Sequence, residues 1–278
     1  MFRLLDIELH KLKYSRSAKI LTITYFILIT FIALIASIEF DLGQIHFRLA
    51  DQGIFNFPFI WHFNSYIAAL LKLFLAIVIV SMMSNEYSNR TLKQNLIDGL
   101  SKKEFVLSKF LTVVLFSIIS TLFLIVVSLI LGYSFSDYTE FSIVFSDMEY
   151  LLGYFIKLLG FFSFCMFIGI LIKRSAFALG FLFIWWVLEN IVNGILTWRI
   201  FRDSDIADNI VQFFPLASMS NLVVEPFSRL NFIQTAASQI GSELDKDYGV
   251  HWYQLLIVLV WTFLFVFLSY KLLKIRDL

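Results

Sequence analysis

The chain has a single cysteine, Cys165, three prolines and four histidines among its 278 residues. One cysteine excludes an intrachain disulfide, and no Cys/His spacing of the kind that holds zinc is present, so no metal site is expected. Three prolines leave long stretches free of helix breakers. Charge is scarce too: Asp, Glu, Lys and Arg make up 15 % of the residues, where a soluble domain carries about 25 %. The two signs nearly cancel, at 22 basic and 21 acidic residues. No field suited to nucleic acid follows from that balance. The signatures G-x-x-x-x-G-K, H-E-x-x-H and G-x-S-x-G are all missing. A nucleotide-hydrolysing loop, a zinc-protease helix and a serine-hydrolase elbow are therefore not expected in this chain.

Apolar side chains are what the chain has in excess. They account for 59 % of it, and 33 residues are Phe. A water-soluble globule of this size has too little interior to hide them. Runs of about 20 apolar residues, the length that spans a bilayer core of about 30 Å, lie at about 20–38, 60–83, 110–133, 150–172, 176–198 and 252–273. None alternates as a barrel strand would. The first is 19 residues long, beyond the roughly 7–15 of a signal-peptide core, and reads as a retained span. The expected fold class is an all-α membrane protein with six transmembrane helices, forming one domain over 1–278.

Lys and Arg are unevenly shared among the connections. One set of segments (1–19, 84–109, Lys173-Arg174 and the tail after Tyr270) holds fifteen, and the other set holds five. The positive-inside rule then places both termini in the cytoplasm. Within 1–17, Phe2, Leu5, Leu9 and Leu12 recur at helical spacing, which predicts an amphipathic interfacial helix lying against membrane lipid. The connection between the fifth and sixth spans is about 52 residues long. Asp203-Ser-Asp205 has the pattern of a helix start, and the periodic stretches after it are too short to span. A helical outer loop, interfacial or re-entrant, is expected there.

The connection between spans two and three carries start and stop signals. Glu86 and Arg90 stand four apart with the acid first, a favourable helical pair. Tyr87, Thr91 and the apolar Leu92, Leu96 and Ile97 continue a periodic face. Gly99 sits where a helix end wants a left-handed residue. Ser101 and Glu104 have capping-box spacing before the third span. The pattern predicts a short amphipathic helix on a rigid stem, able to dock a soluble partner, against the plainer reading of a solvated loop that sets topology.

These residues, Asn85-Glu-Tyr-Ser-Asn-Arg-Thr91, then Asp98-Gly-Leu-Ser-Lys-Lys-Glu-Phe105 and Ser108-Lys109, resemble the ABC-2 type permease family, the membrane subunits of ATP-binding cassette exporters. The resemblance implies six spans and a coupling helix between spans two and three that seats a separate ATPase subunit. Docking would then fall to Glu86, Tyr87, Arg90, Thr91, Leu92, Leu96 and Gly99. It further implies a dimer, either of two copies or of this chain with a similar one, in the cytoplasmic (inner) membrane of a bacterium. ATP and Mg would be bound by the partner and no cofactor by this chain. Transport rather than catalysis is expected, with a drug, peptide, lipid or glycan as cargo. A membrane anchor or assembly protein, and an intramembrane enzyme acting on lipid or peptide, stay open as alternatives.

Three ionisable residues lie well inside apolar runs: Lys72, Lys157 and Glu189, with Asn190 and Asn193 beside the last. Such groups are costly in lipid and usually face the bundle interior or water, which makes all five candidates for lining a transport path. Lys157 precedes Arg174 by 17 residues and Glu189 follows it by 15. A rise of 1.5 Å per residue puts them within about 3 Å of the same height. A Lys157–Glu189 or Lys72–Glu189 pair is expected, with snorkelling of each lysine as the plainer alternative.

Overall fold

The computed structural model describes residues 2–42, 45–48, 52–202, 206–239 and 246–276. Helix α1 (Phe2–Tyr14) and helix α2 (Arg16–Ser37) meet at 90°. Ser15 makes the corner, its hydroxyl accepting the amide of Ala18 as an N-cap at 3.3 Å. A short hairpin follows, β1 (Glu39–Leu42) paired antiparallel with β2 (Ile45–Arg48). Nothing in the hydropathy pattern indicates it. The second apolar run is two helices rather than one, α3 (Phe59–Leu70) and α4 (Lys72–Ser88), bent by 44° at Leu71.

The connection to the third run folds as its signals indicate, with one exception. Helix α4 stops at Ser88, and Arg90 takes a left-handed φ of 56°. Helix α5 (Thr91–Ile97) therefore starts afresh instead of continuing α4. Gly99 has φ 96°, a conformation that costs glycine no Cβ clash. Ser101 and Glu104 form the capping box of α6 (Lys102–Phe135), 34 residues long. After the one-turn α7 (Phe141–Val144) come α8 (Glu149–Ile172) and α9 (Ser175–Ile195), which ends in a wider π turn to Ile200. Four short elements then follow: α10 (Ile206–Val211), α11 (Pro215–Asn221), a 3₁₀ turn (Phe227–Arg229) and α12 (Asn231–Gln239). Pro215 begins α11 rather than interrupting a helix, because proline is tolerated at a first helical position. The expected helix start at 203–205 lies outside the described residues. Helix α13 (Trp252–Ile275) closes the chain.

Four of these segments are long and apolar enough to cross a membrane: α6, α7 with α8, α9 with its π turn, and α13. The bent pairs α1–α2 and α3–α4 raise the number to six if each is one crossing. Helix α8 is the hub: 78 % of its apolar window is buried, against 11 % for α9, so α9 keeps most of its surface for lipid or another chain. Several hydroxyls inside the apolar helices are satisfied locally. Thr112, Ser117, Thr121 and Ser163 each donate to the carbonyl four residues earlier. In the interior, Tyr25 of α2, Ser120 of α6 and Tyr154 of α8 close a ring of three hydroxyls, with O···O distances of 2.5, 2.6 and 2.7 Å. Each can donate once and accept once, so three helices are pinned and all three hydroxyls are satisfied.

Candidate functional site

At the end of the bundle that carries the basic segments, four charged side chains converge. Lys109 of α6 is fully buried and reaches Oε2 of Glu8 at 2.5 Å and Oε1 of Glu86 at 2.5 Å. Both carboxylates are 3 % exposed. Lys11 completes the cluster, 2.7 Å from Glu86. Thr91, the first residue of α5, donates to the other oxygen of Glu86 at 2.6 Å. Two carboxylates thus face two ammoniums, so the buried charge is balanced. The cluster ties α1, α4, α5 and α6 together at one point.

The left-handed Arg90 explains why Glu86 is free of its expected partner. With the helix broken after Ser88, Glu86 and Arg90 do not share a helical face, and their expected i,i+4 pair is not formed among the described residues. Glu86 turns inward instead. The inward face of α1 also differs from the expected stripe: Leu4 and Glu8 are buried while Leu9 is exposed. Charge counting along the chain reads Lys11 and Lys109 only as topology-setting cations and assigns Glu8 nothing. The signal that could have found the cluster is Glu8 spaced four residues from both Leu4 and Leu12, a carboxylate on an apolar stripe.

Of the residues expected to dock a partner, Glu86 and Leu92 are buried and point into the bundle, Leu96 packs against the core, and Tyr87 is half-buried with the Lys173 ammonium 5.4 Å from its ring centre. Thr91 is occupied by Glu86. Arg90 and Gly99 are exposed, together with Lys93, Gln94, Ile97 and Asp98, which are not in the expected set. The same end is tied further by the tail. Arg276 donates to the carbonyls of Ile170 and Leu171 at the end of α8, and Lys102 donates to those of Lys274 and Arg276.

The intramembrane charges are arranged differently from the expected pair. No ion pair joins Glu189 to Lys157 or Lys72 among the described residues. Glu189 of α9 instead accepts the amides of Leu216 and Ala217, at 3.0–3.1 Å, and the indole N–H of Trp185 at 2.6 Å. Lys157 of α8 donates to the carbonyls of Ser220 at 3.3 Å and Val223 at 3.1 Å. These are the two ends of α11: the anion holds the amino end and the cation the carboxyl end, each matching the helix dipole. The two groups do stand at matched distances along their helices, but a seven-residue helix lies between them. Lys72 stands 4.4 Å over the ring of Phe161, a cation–π contact.

Asn190 is exposed and bonds Trp186 O, and Asn193 accepts from Thr197. With Glu189 they line an open cavity of about 370 Å³ between α9, α10 and α11, to which Asp208, Ser220 and Asn221 add further polar groups. Beyond it, the segment after α11 is fastened by His62, which bonds Val224 O at 2.8 Å, stacks on Tyr150 at 4.2 Å and accepts from Arg229 at 3.2 Å.

Long apolar helices around a buried hub, with polar networks confined to fixed points, define a multi-pass α-helical membrane protein. The family model described as ABC-2 family transporter protein matches residues 4–189, more than half of the chain. The chain belongs to that family, which consists of transport proteins rather than catalysts. The matched stretch contains the whole buried ion cluster and ends at Glu189, so α11 and α13 lie beyond it. No curated protein matches the chain.

Proposed function

We propose that the chain is the permease subunit of an ATP-binding cassette exporter, with six crossings in a bacterial inner membrane, both termini cytoplasmic, and a second permease chain as partner. The observation that supports this best is the Glu8–Glu86–Lys109–Lys11 cluster at the root of α5. A rigid, exposed helix seven residues long, rooted in buried charges shared by three longer helices, is suited to receiving force from a soluble subunit and passing it into the bundle. In this reading α5 is the coupling helix. It meets the ATPase through its exposed residues, Arg90, Lys93, Gln94, Ile97 and Asp98, while Glu86, Thr91 and Leu92 hold it in place from behind. ATP and Mg belong to the ATPase, which closes on nucleotide and displaces α5. Displacement of α5 moves α4 and α6 through the cluster, and then α8, against which both pack. The polar cavity on α9, lined by Glu189, Asn190 and Asn193, is where cargo or the second chain meets this one.

Ile97 supplies the test, since it is 75 % exposed and contributes nothing to the core. Ile97→Asp should leave membrane insertion and yield unchanged while ATPase co-purifying with the tagged permease falls at least about 10-fold, the scale of losing one central apolar contact at an interface. Unchanged recovery of the ATPase would remove α5 from the docking surface.

A further inference from the structure

Helix α11 is held where transmembrane helices reach it. Lys157 lies 15 residues from the end of α8 and Glu189 lies 14 from the start of α9. At 1.5 Å per residue, they stand about 22.5 and 21 Å from the turn joining those helices, a distance shorter than a hydrocarbon layer of about 30 Å. The amides and carbonyls at the ends of a helix lack intrahelical partners, and at α11 the protein supplies several of them. Pro215 removes one of the amides. Glu189 takes the next two, and Lys157 takes two carbonyls at the other end. A third transmembrane helix adds one more bond, from the Trp261 indole to Phe213 O at 2.9 Å. Between its ends α11 is seated by Met219, 1 % exposed, over Gly160, where an added Cβ would come within 3.1 Å of the Met219 methyl.

The two ends of α11 are thus gripped by different members of the α8–α9 hairpin. Any change in the spacing or tilt of α8 against α9 must release one grip or carry α11 along with it. We infer that Lys157 and Glu189 are positioning residues that act through α11 rather than on each other, and that α11 is the releasable wall of the cavity on α9. The alternative, two charges that attract directly across the hairpin, differs from this in one respect. A direct pair tolerates exchange of its partners. A clamp on a helix does not, because exchange sets a cation against the amides of Leu216 and Ala217 and an anion against the carbonyls of Ser220 and Val223.

The test uses the full-length protein in native membranes, carrying Cys165→Ala and, on the buried face of α11, Ser218→Cys. With the clamp intact, the thiol introduced at position 218 should react only slowly with a membrane-impermeant maleimide. Glu189→Gln and Lys157→Met should each speed labelling at least about 10-fold, the scale of losing hydrogen bonds to a charged group. The exchanged double variant, Lys157→Glu with Glu189→Lys, should label as fast as either single. Slow labelling of the exchanged variant, or of both singles, overturns the proposal. Global loss of structure is read separately from native Cys165, fully buried in α8, in the same variants with Ser218 kept. It should stay unreactive, and its labelling alongside position 218 would also overturn a local clamp. Labelling is read without transport, so its outcome is independent of the exporter reading.

Discussion

Lys109 and Glu86 face each other at 2.5 Å across the root of α5, the lysine fully buried and the glutamate 3 % exposed. Neither charge has water to fall back on, so each depends on the other and on Glu8 and Lys11. Removing one member of a buried set costs about 3–5 kcal/mol, largely from the charge left behind. Lys109→Met should therefore lower the thermal midpoint of the detergent-purified protein steeply. Adding Glu8→Gln to Lys109→Met should recover part of the loss, because Glu86 then keeps Lys11 at 2.7 Å and no second carboxylate is stranded. Strictly additive losses in the double variant would count against a shared cluster.

Orientation is open to a direct check. Thr139, in the connection after α6, and Ser101, at its start, are both exposed and lie at opposite ends of a 34-residue helix. In a Cys165→Ser background, an impermeant maleimide added to intact cells should label a cysteine introduced at Thr139 and leave one introduced at Ser101 unlabelled until the membrane is opened. The reverse pattern would invert the proposed topology.

Two glycines on neighbouring helices should respond oppositely to the same change. A Cβ on Gly169 of α8 would lie 2.8 Å from the Cβ of Met83. That atom is fixed to the α4 backbone, so the helices must move apart, at a cost of about 1–3 kcal/mol. A Cβ on Gly180 of α9 meets nothing within 4 Å, and Gly180→Ala should gain up to about 1 kcal/mol from helix propensity. Thermal unfolding of Gly169→Ala and Gly180→Ala reads both, and equal effects would refute the close α4–α8 approach.

Glu225 links stability to acid. Partial burial works to raise its carboxyl pKa, but hydrogen bonds from Lys246 at 2.7 Å and from the Ser228 hydroxyl and amide outweigh it and hold the group below its ordinary value. A depressed carboxyl contributes stability above its unfolded pKa of about 4.3, and that contribution fades as pH falls through the lower folded value. The pair is partly exposed, so the effect should stay under about 1 kcal/mol. Between about pH 5 and pH 3, a window that brackets the unfolded pKa and reaches below it, the wild-type protein should lose more thermal stability than Glu225→Gln. Parallel curves would show that the contact contributes nothing.

Much of the plan is legible in the chain. Helix α8, expected at 150–172, runs from Glu149 to Ile172. The left-handed Gly99 and the Ser101–Glu104 box stand where their spacing puts them. Capping motifs and apolar runs are local, set by residues a few positions apart, so composition and spacing suffice to read them. The hairpin β1–β2 is not legible, nor is the bend at Leu71, which has no proline or glycine to announce it.

The candidate sites divide in the same way. Sequence alone determined that Lys157 and Glu189 are out of place, charges inside apolar runs at matched heights, while the carboxylate of Glu8 on α1 went unread. Such groups must find partners, because a charge in an apolar medium is too costly to leave alone. Which partners they find is decided only in three dimensions. Arg90 breaks the helix, and Glu86 turns toward Lys109 instead of toward Arg90. A seven-residue helix from the connection after α9 enters between Lys157 and Glu189 and takes both charges on its ends. Spacing along one helix can specify a neighbour four residues away, but a partner 75 residues off, as Glu86 is from Lys11, depends on how separate helices pack, and that is set by the sum of their contacts.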